Sequence, residues 1–275
     1  PIESRIDSLS PTFIHQYQHF TPSLKLRRSS KKLNIELEGA YELGQQLTDL
    51  NFDTREKTKK LHYFLPYASI DYTIRSGHSL ALSYSSVLIK PSTTQLLPVV
   101  SNMNRLQYFY GNDQLSPEYK QALRLNWTLF DQFSFISIFS SIEGTYTQNK
   151  INLSRQILPD FTQVVSYINV PYDYTGSARI DFSAPIRKLK LKIHLTASER
   201  WNKGITRVDS LDNILTSMND RYSLSFENRK KTKWDLILGI NLGITDSWFS
   251  LQKSQNNRYI ETAVFSTMGY KFGKR

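Results

Sequence analysis

Apolar and polar residues alternate with a period of two along most of the chain. In Leu33, Ile35, Leu37, Gly39, Tyr41 and Leu43 the odd positions are apolar or small, while Asn34, Glu36, Glu38 and Glu42 fill the other face. Successive side chains of a β-strand point to opposite faces, so this segment reads as a strand with one wet side. The alternation returns in Leu123, Leu125, Trp127 and Leu129, in Ala178, Ile180, Phe182, Ala184 and Ile186, and in Leu189, Leu191, Ile193, Leu195 and Ala197. It recurs in Tyr222, Leu224 and Phe226, in Trp234 through Ile244, and in Met268, Tyr270 and Phe272. Almost no segment of helical period competes, so the chain is all-β.

The connections alternate in length. Short polar turns are predicted at 28–32, 75–77, 131–132, 187–188 and 230–232, and longer connections at 51–61, 91–118, 157–161, 204–216 and 253–257. Short on one side and mostly long on the other is the asymmetry of a transmembrane antiparallel β-barrel with tight periplasmic turns and larger outer loops. A strand over 62–74 fits: about 13 residues at ~3.3 Å each, tilted ~45°, cover roughly 30 Å and cross an apolar band of about 25 Å. Strands flanking the five short turns, with a final one over about 258–273, make about eleven. An odd number does not close as a simple antiparallel ring, so the expectation is part of a larger barrel whose edge strands need another segment or chain. Residues 1–20, with Ser10–Pro11, read as an arriving loop. Leu191, Ile193, Leu236 and Leu238 are expected mid-strand facing lipid, and Trp127, Trp201, Trp234 and Trp248, with Tyr146, Tyr222 and Tyr270, fall toward strand ends as an interfacial girdle should.

Composition narrows the chemistry. Aromatics make up 13% of the 275 residues, with 16 Tyr and 15 Phe, yet mean hydropathy is −0.43 and no apolar run approaches the ~20 residues of a spanning helix. A helical membrane protein is excluded. The net charge of +11 is mostly unclustered within the alternating segments; Arg229, Lys230 and Lys231 belong to a periplasmic turn that can touch anionic inner-leaflet lipid. No stripe of interleaved basic and aromatic residues is present, so nucleic acid is not an expected partner. The absence of Cys rules out disulfides, thiolate zinc sites and Cys nucleophiles. There is no Gly-rich phosphate loop and no Gly-x-Ser-x-Gly. His15 and His19 have the spacing of a helical metal pair, but "FIHQYQHFTP" reads as extended before Pro22. Glu36, Glu38 and Glu42 share a face, which in a barrel makes a polar lumen and in an enzyme a carboxylate pair; the lumen is the expectation. No catalytic residue, metal or cofactor is assigned.

One stretch interrupts the alternation: "SSVLIKPSTTQLLP" over 85–98, then "YGNDQLSPEY" over 110–119. Pro91, Pro98 and Pro117 cannot donate to a ladder and suit a long outer loop and the start of a returning strand. Gly111–Asn112 supplies a residue tolerant of positive φ before re-entry. Leu96, Leu97, Val99, Val100, Tyr108 and Tyr110 are too many apolar and aromatic groups for a solvated linker, so the loop is expected to fold over the barrel mouth. Asn102, Asn104, Arg105, Tyr108 and Tyr110 cluster between its proline-rich ends, where amide, guanidinium and phenol groups could bind a peptide, glycan or chelate, or brace the loop.

Pro91, Leu96, Pro98, Gly111, Asn112, Leu115, Pro117 and Glu118 together resemble a segment of the TonB-dependent receptor superfamily, in the outer-membrane β-barrel branch common in Bacteroidetes-type bacteria. There a strand ends near an Arg-Pro, passes a Leu-x-Pro and reaches Gly-Asn-Pro-x-Leu-x-Pro-Glu. This chain departs at Lys90 and Asp113. The segments 20–43 and 64–86 look similar too, so the resemblance covers most of the chain. It implies a barrel of about 22 strands, with residues 1–275 as one barrel segment forming its C-terminal half. It further implies a bacterial outer-membrane location and uptake of a nutrient or chelate with TonB-supplied energy. The partners it implies are outer-membrane lipid, a plug-bearing N-terminal portion or another chain, the TonB complex and a surface lipoprotein lid. Neither plug nor TonB box is recognisable in the sequence. A passive porin-like barrel, distinguished by its conductance, and a barrel subunit of an assembly or secretion complex, distinguished by co-purifying chains, remain open.

Overall fold

A computed structural model describes residues 13–50, 53–97, 101–104, 106–228, 233–251 and 253–272. In chain order they form β1 (Phe13–Phe20), β2 (Ser23–Ser29), β3 (Leu33–Leu50), β4 (Asp53–Arg75), β5 (His78–Ile89), the short helix α1 (Thr93–Leu96), β6 (Ser101–Asn104) and β7 (Gln107–Tyr110). There follow β8 (Glu118–Asp131), β9 (Ile136–Ile157), β10 (Gln163–Ile186), β11 (Leu191–Val208), β12 (Leu211–Asn228), β13 (Trp234–Phe249) and β14 (Asn257–Tyr270). One antiparallel sheet runs β1-β3-β4-β5-β8-β9-β10-β11-β12-β13-β14. β1 and β2 pair with successive halves of β3, with Phe20 opposite Leu43 and Ser23 opposite Ala40. They act as one strand interrupted at Thr21–Pro22, and the eleven-strand path agrees with the alternation in the sequence.

The two faces differ in kind. Leu129, Ile138, Phe182, Leu195, Leu224, Ile240 and Val264 stand opposite one another across seven neighbouring strands. Three residues along, on the other face, the row reads Asn126, Ser141, Arg179, Ser198, Arg221, Gly243 and Glu261. The apolar face is the exposed one: Leu24 is 71%, Phe64 56% and Leu238 49% exposed. Only Leu96, Leu115 and Ile151, with Tyr167 against them, form a buried apolar cluster among the described residues. A soluble protein does not expose so wide an apolar surface. This is the lipid-facing wall of a barrel whose dry side is supplied by the membrane.

The sheet is open. Among the described residues β14 pairs only with β13, and β1 and β2 only with β3. Because each hairpin reverses direction, both edges run from the long-connection end to the short-turn end. Antiparallel closure therefore requires an odd number of further strands. A second copy of the same sheet would meet both edges in parallel.

Three predicted loops are corrected. Residues 13–20 are strand, β4 already begins at Asp53, and the connection expected over 204–216 shrinks to Asp209–Ser210, both at positive φ in a two-residue hairpin turn. These segments carry no apolar alternation because they lie above the lipid. β4, β9 and β10 have 23, 22 and 24 residues, which at ~3.3 Å each and ~45° tilt rise roughly 50–55 Å, about twice the apolar band. The short turns predicted at 75–77, 131–132 and 187–188 fall at 76–77, 132–135 and 187–190; the turn over 230–232, with Arg229, Lys230 and Lys231, lies outside the described residues. Gly77 needs its residue type, with φ +72° and a built Cβ only 2.2 Å from the Phe130 carbonyl oxygen.

Two prolines split the sheet at its outer end. β4 and β5 pair only from Tyr67–Ser85 downward; at the fork Pro66 offers no N–H, and its carbonyl accepts from Ser86 Oγ at 2.9 Å. Pro171 stands opposite Asn149, which holds a left-handed φ of 54°. Below them the order is β8-β9-β10-β11. Above them β10 pairs in parallel with β7 (Gln163 opposite Gln107), while β9 pairs in parallel with β11 (Ser154 opposite Arg207). The upper β9–β10 hairpin has turned over by half a rotation.

Leu191, Ile193, Leu236 and Leu238 all lie on the outward face, but Leu191, the first residue of β11, and Leu236 are not mid-strand. Leu236 sits beside Trp234 at the short-turn end of β13, and Ile240 lies nearer the middle between Trp234 and Trp248. Ile240→Arg is expected to cost about 2–4 kcal/mol of folding free energy into bilayers and Leu236→Arg about 0–1 kcal/mol. Equal costs in a reversible bilayer folding titration would contradict this depth assignment.

Candidate functional site

The concave face is built from paired charges. Arg124 Nε donates to Glu143 Oε2 at 2.8 Å, and Arg179 makes two 2.7 Å bonds to Asp181. Asp181 also accepts from Thr196 Oγ1 at 2.8 Å. Lys25 lies 2.6 Å from Glu36 and 3.6 Å from Glu38. Arg179, Arg221, Asn241 and Glu261 line a hollow of about 370 Å³ in this wall. Exposed ion pairs of this kind contribute about 0–1 kcal/mol each; their consequence is a hydrophilic wall along which polar groups can form alternative hydrogen bonds.

The connection 90–117 is fastened to the inner side of the outer end. α1 starts with a capping box: Ser92 Oγ accepts from the Gln95 N–H at 3.3 Å, and Gln95 Oε1 accepts from the Ser92 N–H at 2.8 Å. The returning chain then bonds α1, with Gly111 N donating to Leu97 O at 2.9 Å and Asn112 N to Gln95 O at 2.7 Å. Gly111 is not at positive φ, contrary to expectation. It is glycine because a Cβ would stand 2.5 Å from the Leu97 carbonyl oxygen.

From there Asn112, Ser116 and Glu118 each find a partner on β9 or β10. Asn112 Nδ2 donates to Tyr167 O at 2.9 Å. The Ser116 N–H donates to Asn169 Oδ1 at 2.7 Å, and Asn169 Nδ2 returns a 2.9 Å bond to Ser116 O. Buried Glu118 accepts from the Ile151 N–H at 2.9 Å and from Lys150 Nζ at 3.0 and 3.1 Å. Lys59 Nζ reaches Ser116 Oγ at 2.6 Å. Pro91, Leu96, Leu115 and Pro117 are buried. At the other foot of the loop, Lys90 Nζ lies 3.5 Å from Glu42 Oε1 and 3.5 Å from the centre of the Tyr17 ring, while the Tyr17 hydroxyl donates to Glu42. The signature residues are thus anchors.

The candidate ligand contacts divide. Tyr108 and Tyr110 are exposed on β7, and Phe109 between them packs edge-on against Tyr167 at 5.3 Å. Asn102 and Asn104 belong to β6, which pairs with β7; their side chains, with Arg105 and Pro98, lie outside the described residues. The anchors Lys59, Asn149, Lys150, Tyr167 and Asn169 had no signal in local alternation; Pro171 inside an otherwise regular strand was the available clue. His15 and His19 lie on the extended β1, about 13 Å apart at strand rise. At the tip of the β9–β10 hairpin, Asp160 Oδ1 accepts from the Thr162 N–H at 3.0 Å, which holds its carboxyl below the usual range. Its contribution to the turn is full above the unfolded carboxylate pKa and is lost as pH falls through the depressed folded value.

All four Trp residues lie on the outward face. Trp234 packs on Tyr270 at 4.6 Å and Trp127 Nε1 donates to His78 Nε2 at 2.9 Å, both toward the short turns. Trp201 and Trp248 are exposed toward the long connections.

An open sheet with an apolar outside, a charged inside and an anchored outer loop is the wall of an outer-membrane β-barrel. The model of the outer membrane protein beta-barrel family matches residues 7–268, and the chain belongs to that family, in the bacterial outer membrane. Among solved structures, the siderophore receptor PirA from Acinetobacter baumannii is similar with a TM-score of 0.50 and 10% identity, over 95% of this chain and 49% of that one. The alcaligin outer-membrane receptor FauA from Bordetella pertussis gives 0.41 and 12%, over 94% and 45%. The ferric-catecholate import receptor Fiu from E. coli in its open form gives 0.42 and 7%, over 94% and 50%. The chain spans about half the length of these receptors. No curated protein matches it.

Glu118→Ala leaves Lys150 and the Ile151 N–H without their carboxylate and is expected to loosen the loop by about 1–3 kcal/mol. Proteolysis within 92–117 should accelerate while the barrel keeps its heat-modifiable gel mobility. Unchanged proteolysis would show that the carboxylate is not an anchor.

Proposed function

We propose that this chain is the C-terminal half of the barrel of an outer-membrane receptor that takes up a nutrient or chelate with TonB-supplied energy. The observation that carries the reading is the 90–117 connection, clamped to the inner side of the outer end by Asn112, Ser116 and Glu118 while β7 presents Tyr108 and Tyr110 outward. A clamped base holds the aromatic pair in place, so contact with a ligand loses little further freedom. The remainder of the ring brings the plug, which closes the lumen and carries the TonB-binding box. The wall bearing Arg124, Arg179 and Arg221 gives that plug and the passing solute a polar surface to slide against. A surface lipoprotein lid fits over the same outer end. The siderophore receptors that share the fold favour a chelate as cargo, and no catalysis is assigned to the chain.

A passive pore is the competing reading, favoured by the same loop if it serves only to narrow the lumen. Deleting residues 99–108 while keeping the anchors tests both. The expected result is normal assembly, loss of uptake-dependent growth on the chelate, and no steady conductance from the intact protein in planar bilayers. For Tyr108→Ala with Tyr110→Ala, half-saturation should rise about tenfold or more, the equivalent of ~1.4 kcal/mol. Steady conductance with unchanged uptake would establish the passive pore instead.

A further inference from the structure

The apolar cover of the outward wall is interrupted where two facing strands lack side chains. Gly144 on β9 and Gly176 on β10 stand directly opposite each other, on the face that carries Ile142 and Ala178. Neither has a positive φ. A Cβ on Gly144 would meet nothing within 4 Å, and one on Gly176 only Trp201, at 3.8 Å. Neither turn geometry nor close packing therefore calls for glycine here, although glycine weakens a strand interior. What the pair creates is a slot. Its lower part, about 570 Å³, is walled by Leu82, Leu123, Leu125, Ile142 and Trp201, with Glu199 on its rim. Its upper part, about 400 Å³, shares Leu123, both glycines and Trp201, and ends at Tyr84, Tyr146 and Tyr174.

We infer that this slot holds one acyl chain of an anionic, phosphomonoester-bearing lipid of the outer leaflet. The slot lies among the lipid-facing rows of Leu123, Ile142, Ala178 and Trp201, so a hydrocarbon chain is the occupant already adjacent to it. Its two ends differ in the way an amphiphile requires. At the long-connection end Tyr146, Tyr174 and Lys203 lie in one cross-strand row, placing two phenols and an ammonium where a phosphate headgroup would sit. Toward the other end, on the same face and two residues below Trp201, Glu199 stands opposite Ala178. That carboxylate disfavours an anionic headgroup there and fixes which way the lipid points.

The test is native mass spectrometry of the intact protein released from vesicles of phosphatidylethanolamine containing diphosphoryl lipid A. One lipid A per protein should survive release. Gly144→Leu with Gly176→Leu should abolish that retention, and Lys203→Gln should lower it about tenfold against phosphatidylethanolamine. Gly144→Ser, which narrows the slot without filling it, guards against a folding failure, and heat-modifiable mobility confirms the barrel in each variant. Retention unchanged by the Leu substitutions, or phosphatidylethanolamine held as firmly as lipid A, would overturn the assignment. A protein dimer that disappears with Gly144→Leu would give the slot to a second copy instead.

Discussion

Inside hydrocarbon every backbone N–H and C=O needs a partner, because no water is there to supply one. That constraint fixes the strand lengths, which must cross the band, and the alternation, which must put apolar side chains toward lipid. It also sets the unfinished condition of the sheet. β2 and β14 each carry one row of backbone groups that nothing among the described residues satisfies. Since both edges run the same way, the remainder of the ring must present an odd number of strands to complete antiparallel pairing.

Above the lipid the constraint relaxes, and the structure changes character there. Pro66 releases β5 from β4, and Pro171 opposite Asn149 lets the β9–β10 hairpin roll over. Both breaks would leave unpaired groups in hydrocarbon; in water they open space for the 90–117 connection. Its anchors use the groups that the break exposes, with Asn169 bonding both Ser116 and the carbonyl of Asn149. The tip of β11–β12 joins the same assembly: the Asp209 N–H donates to Arg155 O at 2.9 Å, and Asp209 Oδ1 accepts from the Ile157 N–H at 2.8 Å. Loop and hairpins thus form one braced outer structure on which Tyr108 and Tyr110 are displayed.

What was legible in the sequence follows the same division. Where lipid enforces alternation, as in Leu33 to Leu43 or Trp234 to Ile244, strands and facing read off directly, and so did the number of strands on the sheet path. Above the band nothing enforces it. "DTREKTKK" and "FIHQYQHF" are strands held by pairing with β3 alone, and their composition resembles that of loops. The signature residues were visible as a set, but their roles were not. Gly111 suggested a turn and proved to be a point of close backbone contact, and Glu118 gained its meaning only from Lys150 and Ile151, more than thirty residues away. Long-range partners leave no local period to read.

The central claim is that these eleven strands are part of a ring which they do not close among themselves. The chain contains no Cys, so introduced pairs report cleanly. In the intact protein assembled in membranes, Val264→Cys with Ile240→Cys, opposite each other on β14 and β13, should join readily through a short bifunctional reagent. Val264→Cys with Leu24→Cys, on the two free edges, should not join. Efficient joining of that second pair within one chain would show a ring closed by this segment alone and contradict the account.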